Sequence, residues 1–317
     1  MRILITGVSG FVGRHLLEHL DAAEPGAHVL GVSRTAATLP TAHLGRIQCT
    51  FRQLDLLDRE GVAGVLRDFA PDWIVHLAAF SSVAFSWQRP VESFANNTTI
   101  FLNLLDQVRA QRLRCRVLSV GSSEEYGDVD PASLPLREDT PLRPVSPYAV
   151  ARVSQEMLSR VYVQGYGLDV VMTRSFNHTG PFQKDLFVIP SLAKQLVAIR
   201  RGHAEPHLRI GDRTIVRDFI DVRDVVRAYH LLLTQGERGE VYNVCTGRGT
   251  SIEEIIAMMQ EMLGTHATLE CDDQLIRPSD NRTIIGSNAK LTAATGWAAE
   301  IPLRESLERV VQWWAEQ

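Results

Sequence analysis

The sequence predicts a doubly wound α/β fold built on a parallel sheet, and three observations carry that prediction. Short apolar runs bounded by turn residues recur at 3–6, 28–32, 73–78, 116–120 and 169–173, the pattern of strands buried on both faces. Stretches with apolar residues at helical spacing separate them. A glycine-rich turn, 7–13, follows the first run directly.

The elements follow in order. Met1 and Arg2 lead straight into the first strand, so no leader peptide is expected. Helices are expected at 13–20, 61–69, 97–110 and 148–162. The last has a clear start signal in Ser146-Pro147, an N-cap acceptor followed by proline at the first helical position. From Ser175 onward the pattern loosens into loops, with helical stretches at 189–201, 251–263 and 303–314, which predicts a smaller, mixed α/β C-terminal lobe. A further helix at 222–233 could return to the first lobe. The expected division is therefore discontinuous: 1–174 with a return segment 213–246, and 175–212 with 247–317. At 317 residues and 45% hydrophobic content, the chain has length for about two domains.

Composition narrows the function classes. A net charge of −4 gives no electrostatic reason to expect a nucleic-acid partner. No apolar run approaches the roughly 18 residues that span a bilayer. Cys49, Cys115, Cys245 and Cys271 lie far apart, without the spacing of a zinc site or a dithiol motif, and read as buried thiols in a reducing, cytoplasmic setting. The histidines show no metal-site spacing either, so no metal is expected.

The turn Gly7-Val8-Ser9-Gly10-Phe11-Val12-Gly13 lies between a strand and a helix. Small residues there let the backbone approach a pyrophosphate and aim helix N–H groups at it, as in a Rossmann dinucleotide site. NAD-selective sites place a carboxylate at the end of the second strand, but this strand ends Gly31-Val32-Ser33-Arg34. Ser33 can hydrogen-bond and Arg34 can pair with a 2′-phosphate, which predicts NADP(H) over NAD(H). The plainer reading of Arg34 is a solvated surface cation. Asp55 could meet the adenine edge, or be a loop carboxylate.

Tyr148 and Arg152 are one helical turn apart and share a face, so the phenol and the guanidinium can reach one ligand. A guanidinium keeps its charge at any working pH, although it is bulkier than an ammonium and donates along fixed directions. Ser122, just past the strand 116–120, can hydrogen-bond the same substrate oxygen as Tyr148. The pair then forms a donor site for a carbonyl that becomes an alkoxide. Alone, a Tyr-x-x-x-Arg helix is more often structural. The glycine loop and the strand-end serine reverse that balance.

With these residues in place, the whole chain resembles the extended short-chain dehydrogenase/reductase (NAD-dependent epimerase/dehydratase) superfamily. Gly121-Ser122-Ser123-Glu124-Glu125-Tyr126-Gly127, Arg143-Pro144-Val145-Ser146-Pro147-Tyr148 and Phe176-Asn177-His178-Thr179-Gly180-Pro181 look like its GDP-4-keto-6-deoxymannose reductase branch. So do Val216-Arg217-Asp218-Phe219-Ile220-Asp221-Val222-Arg223-Asp224 and Tyr242-Asn243-Val244-Cys245-Thr246-Gly247. The resemblance implies NADPH-dependent reduction of the C4 keto group of a GDP-linked 4-keto-6-deoxy sugar, giving a product of the GDP-rhamnose type. Tyr148 is then the acid/base, Ser122 assists it, and position 152 holds the nicotinamide ribose. Arg152 is the departure, since the family has Lys there. A weakly active or non-catalytic NADP-binding homologue is the corresponding alternative. Glu124 stands where related sugar dehydratases carry an acid/base glutamate, so a nucleotide-sugar 4,6-dehydratase is a second alternative; otherwise Glu124 lines the site.

By the same resemblance, cofactor contacts extend to Leu56, Leu77, Ala78, Ala79 and Asn97, and substrate contacts to Ser123 and Val188. Arg217 and Arg277 are candidates for the substrate diphosphate, though either alone reads as a surface ion-pair partner. Asn177 is expected at the diphosphate or sugar, or in a plain turn role. Lys194 either approaches the nucleotide or lies on a solvated helix face, and His178 is assigned to packing or loop hydrogen bonding rather than catalysis. Leu102, Leu105 and Val108, with Val153, Met157 and Val161, form apolar stripes that the family uses in a four-helix homodimer contact; core packing is the other reading.

Overall fold

In the computed structural model, which describes residues 1–35, 43–275 and 281–317, seven parallel strands form the central sheet. They are β1 (Arg2–Thr6), β2 (His28–Ser33), β3 (Gln48–Gln53), β4 (Trp73–His76), β5 (Arg116–Ser122), β6 (Asp169–Ser175) and β10 (Val241–Val244), in the order β10-β6-β5-β4-β1-β2-β3. Each pairing between neighbours is parallel, for example Ile5 with Gly31 and with Val75. The strand order reverses at β1 and β4, and in open sheets of this kind ligands bind beyond the strand ends at that point.

Helices cover both faces. On one lie α1 (Phe11–Ala23), α7 (Val222–Gln235) and α9 (Ala289–Thr295), whose core includes Leu16, Leu20, Val225, Tyr229, Leu232 and Leu291. On the other lie α2 (Arg59–Phe69), α4 (Pro90–Ala110) and α5 (Pro147–Tyr166), burying Val62, Leu66, Phe101, Leu104, Leu105 and Tyr162. Local chemistry sets their ends. Asp58 caps α2 by accepting from the Gly61 N–H, Ser146 caps α5 by accepting from Ala149, and Gly167 ends α5 in the left-handed conformation.

The remaining strands are short. β7 (Asn177–Thr179), β11 (Gly249–Ser251) and β13 (Thr283–Ile284) all pair with β9 (Val216–Asp221), and β8 (His207–Ile210) pairs with β12 (Thr268–Cys271). A third core joins α6 (Val188–Arg200), α8 (Ile252–Leu263) and α10 (Leu303–Ala315) around Leu196, Phe219, Ile255, Met259 and Val310. β10 returns to the central sheet beside β6 and α7 packs on α1, whereas β9 belongs to the smaller sheet.

Several expectations need correction. β3 was not anticipated: its residues are largely exposed at the sheet edge and carry no apolar run. β4 ends at His76, leaving Leu77 and Ala78 as loop. α4 starts at Pro90, seven residues before the predicted Asn97, and a short α3 (Val83–Gln88) precedes it. Exposed Val91 and Phe94 blur the periodicity of that first turn. Cys115 and Cys245 are buried, but Cys49 is only half-buried and Cys271 is exposed. The apolar stripes also divide: Leu105 and Val108 are core residues, while Leu102, Met157 and Val161 face outward. Among the described residues, no helix is long and apolar enough to cross a membrane, and no group of three or more His, Cys, Asp or Glu could hold a metal ion.

Candidate active site

A cavity of about 600 Å³ runs along the C-terminal ends of β1, β2, β4, β5 and β6. One end is the glycine loop. Gly7 has φ +70°, and a Cβ there would meet the Ala78 backbone at 2.8 Å; at Gly13 a Cβ would meet the Val8 carbonyl oxygen at 2.3 Å. These two glycines allow the turn to lie against the Leu77-Ala78 backbone just beyond β4 and α1 to begin hard against Val8 of the turn itself. Gly10, at the N-cap of α1, brings no capping side chain, so the first N–H groups of the helix are open to an anion.

Ser9, Phe11, Val12, Ser33, Arg34, Asp55, Leu56, Leu77, Ala78 and Ala79 line this half. Arg34 lies over the Phe80 ring at 5.2 Å, and Ser33 Oγ donates to the Thr35 carbonyl oxygen. Asp55 Oδ1 accepts from the Leu57 N–H.

The other half is built where β5 meets α5. Capping by Ser146 places Tyr148 in the first turn of α5, facing the end of β5, and Arg152 sits one turn further on. Arg152 is only 5% exposed. Its Nε donates to the Tyr148 hydroxyl at 3.1 Å, and its Nη1 donates to the Val120 carbonyl at 2.9 Å and to Gln155 Oε1 at 2.7 Å. The tyrosine oxygen thus receives a bond from a cation and keeps its own proton to donate.

Ser122 ends β5 and begins a short 3₁₀ turn. Its Oγ accepts from the Glu124 N–H, while its own N–H donates to Glu125 Oε1 at 2.7 Å. Ser123, Glu124, Asn177 and Val188 also line the cavity.

Burial dominates the electrostatics. His76, at the end of β4, is pushed down to about 3 by burial, with the Arg152 charge adding to it. Its Nδ1 bonds Thr6 Oγ1 at 2.9 Å, and its Nε2 has no partner. Burial, followed by the neighbouring Glu156 carboxylate, holds the Glu125 carboxyl above the ordinary carboxylate range. Glu156 is itself paired with Arg174 through two bonds of 2.9 Å. His178, stacked on Phe11 and bonded to the Phe176 carbonyl, is shifted down by burial.

Three expected contacts are not part of this cavity. Asn97 is buried and closes on the backbone of Phe80, accepting its N–H and donating to its carbonyl; Asn96 lines the cavity instead. A loop with buried polar backbone needs such a partner. Lys194 pairs with Asp185 at 2.6 Å and lies over Trp314, outside the cavity. Arg217 is buried in the smaller sheet, donating to the carbonyls of Val216 and Asn281. Arg277 lies outside the described residues. Lining residues that the sequence reading did not anticipate include Lys184 and Tyr229. Lys184 joins Arg34 and Arg152 as a cavity-lining cation, and Tyr229 enters from α7 with its hydroxyl 2.7 Å from Ser175 Oγ.

Comparison with known proteins places this arrangement. A family model described as GDP-mannose 4,6 dehydratase matches residues 4–310. The GDP-6-deoxy-D-mannose reductase of Pseudomonas aeruginosa is 35% identical over 313 residues, 99% of this chain and 97% of that one. A GDP-mannose 4,6-dehydratase of Yersinia enterocolitica is 27% identical, covering 98% and 92%. Among solved structures, RMD from Pseudomonas aeruginosa complexed with NADPH superposes with a TM-score of 0.87 at 34% identity, covering 99% of both chains. Matched along nearly all of its length, the chain belongs to the GDP-mannose 4,6-dehydratase family of the NAD-dependent epimerase/dehydratase superfamily.

Proposed function

We propose that this protein reduces the C4 keto group of a GDP-4-keto-6-deoxy sugar with NADPH, converting GDP-4-keto-6-deoxymannose to a product of the GDP-rhamnose type. The observation that carries the reading is the buried contact between Arg152 and the Tyr148 hydroxyl, in one cavity with Ser122 and an open glycine loop. The similarity to a reductase of GDP-6-deoxy-D-mannose, and to a structure complexed with NADPH, supports the substrate and the cofactor.

The residues fit a dinucleotide. The uncapped α1 terminus and the two close-packed glycines suit a pyrophosphate, and Arg34 lines the cavity at a strand end that lacks a carboxylate, which suits a 2′-phosphate. The cofactor, when bound, supplies hydride to the C4 carbon. Tyr148 donates its proton to the carbonyl oxygen as negative charge develops there, and the Arg152 cation stabilises the oxygen left behind. Ser122, whose Oγ already accepts from Glu124 N–H, has its hydroxyl proton available for the same substrate oxygen. Asn177, Ser123, Val188 and Lys184 line the remainder and would orient the sugar nucleotide. On this reading the cofactor lobe is 1–174 with a return segment within 213–246, and the sugar-nucleotide lobe is 175–212 with 247–317. The pairing of β10 with β6 supports the return.

Mixing the purified protein with NADPH and GDP-4-keto-6-deoxymannose tests the assignment. Loss of nicotinamide absorbance with formation of a GDP-6-deoxyhexose is expected; unchanged absorbance overturns it. A second reading rests on Glu124, which lines the cavity: elimination of water from GDP-mannose with no added reductant. Conversion of GDP-mannose alone would select that reading.

Val91, Phe94 and Leu102 on α4, with Val150, Met157 and Val161 on α5, are exposed apolar side chains on two helices packed side by side, which supports a homodimer through these helices. Four free cysteines suit a reducing compartment such as the cytoplasm.

A further inference from the structure

An ammonium can turn its three protons towards whatever acceptors surround it, but a guanidinium is a flat plate with five N–H directions set by its plane. Where arginine stands in a buried reactive site, something must fix the rotation of that plate. At position 152, three of the five directions are assigned: Nε–H to Tyr148, and the two Nη1 protons to the Val120 carbonyl and to Gln155 Oε1. Among the described residues Nη2 has no protein acceptor, and Arg152 lines the cavity.

Gln155 itself has no rotational freedom. It is 2% exposed, and its Nε2 donates to Ser119 Oγ at 2.9 Å and to the Val120 carbonyl at 3.0 Å, both on β5. With the amide nitrogen committed to those acceptors, the amide oxygen has to face Arg152. Ser159 extends the lock, lying 3.3 Å from Ser119 Oγ and donating to the Gln155 carbonyl. Tyr148, Arg152, Gln155 and Ser159 stand at i, i+4, i+7 and i+11 on α5, one face laid against the end of β5.

We propose that Gln155 is a positioning residue for the reaction: it fixes the plane of Arg152, so that Nε meets the Tyr148 oxygen and Nη2 is presented to the nicotinamide ribose. This rests on the reductase reading for its chemical step, but not for its cofactor contact. It predicts that position 155 matters only while position 152 is arginine, since an ammonium has no plane to fix.

The test is a double-mutant cycle on the full chain, combining Gln155→Leu with Arg152→Lys and reading kcat, sugar KM and NADPH dissociation constant. With Arg152 present, Gln155→Leu is expected to lower kcat about tenfold and weaken NADPH about fivefold, leaving sugar KM unchanged. With Lys at 152, the same change is expected to alter both by less than about twofold. Equal losses in both backgrounds, or no loss with Arg152, overturn the proposal, because a purely structural glutamine acts identically in both. Melting curves check folding; if Gln155→Leu does not fold, Gln155→Asn, one methylene short of Arg152, runs the same cycle with the same expectation. Should the wild-type protein not reduce the sugar, the reductase reading fails alone, and the NADPH arm still decides the proposal.

Discussion

Replacing Arg152 by Met keeps most of the side-chain volume and removes the charge, which isolates what the cation does for Tyr148. The guanidinium makes three hydrogen bonds, two of them buried and the one to Val120 partly so. One of them, to the Tyr148 oxygen, bears on the chemistry. A hydrogen bond to a charged group contributes about 1.5–3 kcal/mol. At about 1.4 kcal/mol per factor of ten, kcat should fall by roughly 10- to 150-fold with NADPH and sugar saturating. The stability effect is smaller. Val120 keeps the Gln155 Nε2 bond at 3.0 Å and Tyr148 lines the cavity, where water can replace the lost donor, so the main cost is the unpaired Gln155 Oε1, about 1–3 kcal/mol. Removing a desolvated charge offsets part of that, and the expected loss is about 1–2 kcal/mol, seen as a few degrees in Tm. The assay is nicotinamide absorbance against GDP-4-keto-6-deoxymannose, with a melting curve and an NADPH titration on the same sample. In a Tyr148→Phe background the Arg152→Met change should no longer matter. A kcat within about threefold of wild type, in a folded variant that still requires Tyr148, would refute the claim that Arg152 drives the phenol.

Arg34→Ala should weaken NADPH about tenfold and NADH little, by nucleotide fluorescence titration, because the guanidinium over Phe80 is suited to a phosphate that only NADPH carries. Met157→Glu with Val161→Glu should yield a monomer by light scattering, since charges on the outward face of α5 would have to be buried in the dimer. His76, held down to about 3 by burial, must stay neutral in the folded protein while the unfolded chain protonates it near 6.5. Stability is therefore lost as pH falls below that value, at about 1.4 kcal/mol per unit. On going from pH 7 to pH 5, the unfolding free energy measured in urea should fall by about 2 kcal/mol more in the wild type than in His76→Gln.

What the sequence discloses depends on whether burial leaves a periodic trace. β1, β2, β4, β5 and β6 are largely buried on both faces, so each reads as an apolar run; β3 has no buried position, and β7 and β11 are three residues long and mostly half-buried, so none of them leaves such a run. Tyr148 and Arg152 were legible because one helical turn fixes their mutual reach. Gln155 continues the same face at i+7 and could have been found by extending that count. Spacing along a helix does not say which way it faces a cleft made by other elements. Lys194 has the right charge on the right segment, yet α6 turns it towards Asp185 and Trp314. Tyr229 occupies the apolar stripe of α7 and reads as core. Its hydroxyl reaches Ser175 only because β6 ends beneath it. Asn97 gives no signal in sequence that its amide serves the Phe80 backbone rather than a ligand.

The identity of residue 155 bears on how the site uses charge as well as on how it is held. Among the described residues, every hydrogen-bond acceptor of Arg152 is neutral: a phenol, a peptide carbonyl and an amide oxygen. The nearby carboxylates are engaged elsewhere. Glu156 pairs with Arg174 and Arg160, and Glu125 is biased towards its protonated form by burial and by Glu156. A glutamate at 155 could occupy the same direction from Arg152 and bind it more tightly, but as a counter-ion it would cancel much of the cation's field at Tyr148 in a low-dielectric setting. It would also set a carboxylate against the Val120 carbonyl, where Gln155 now donates. A neutral amide fixes the guanidinium without neutralising it. The same charge lies near enough to His76 to add to the downward shift that burial imposes on that imidazole.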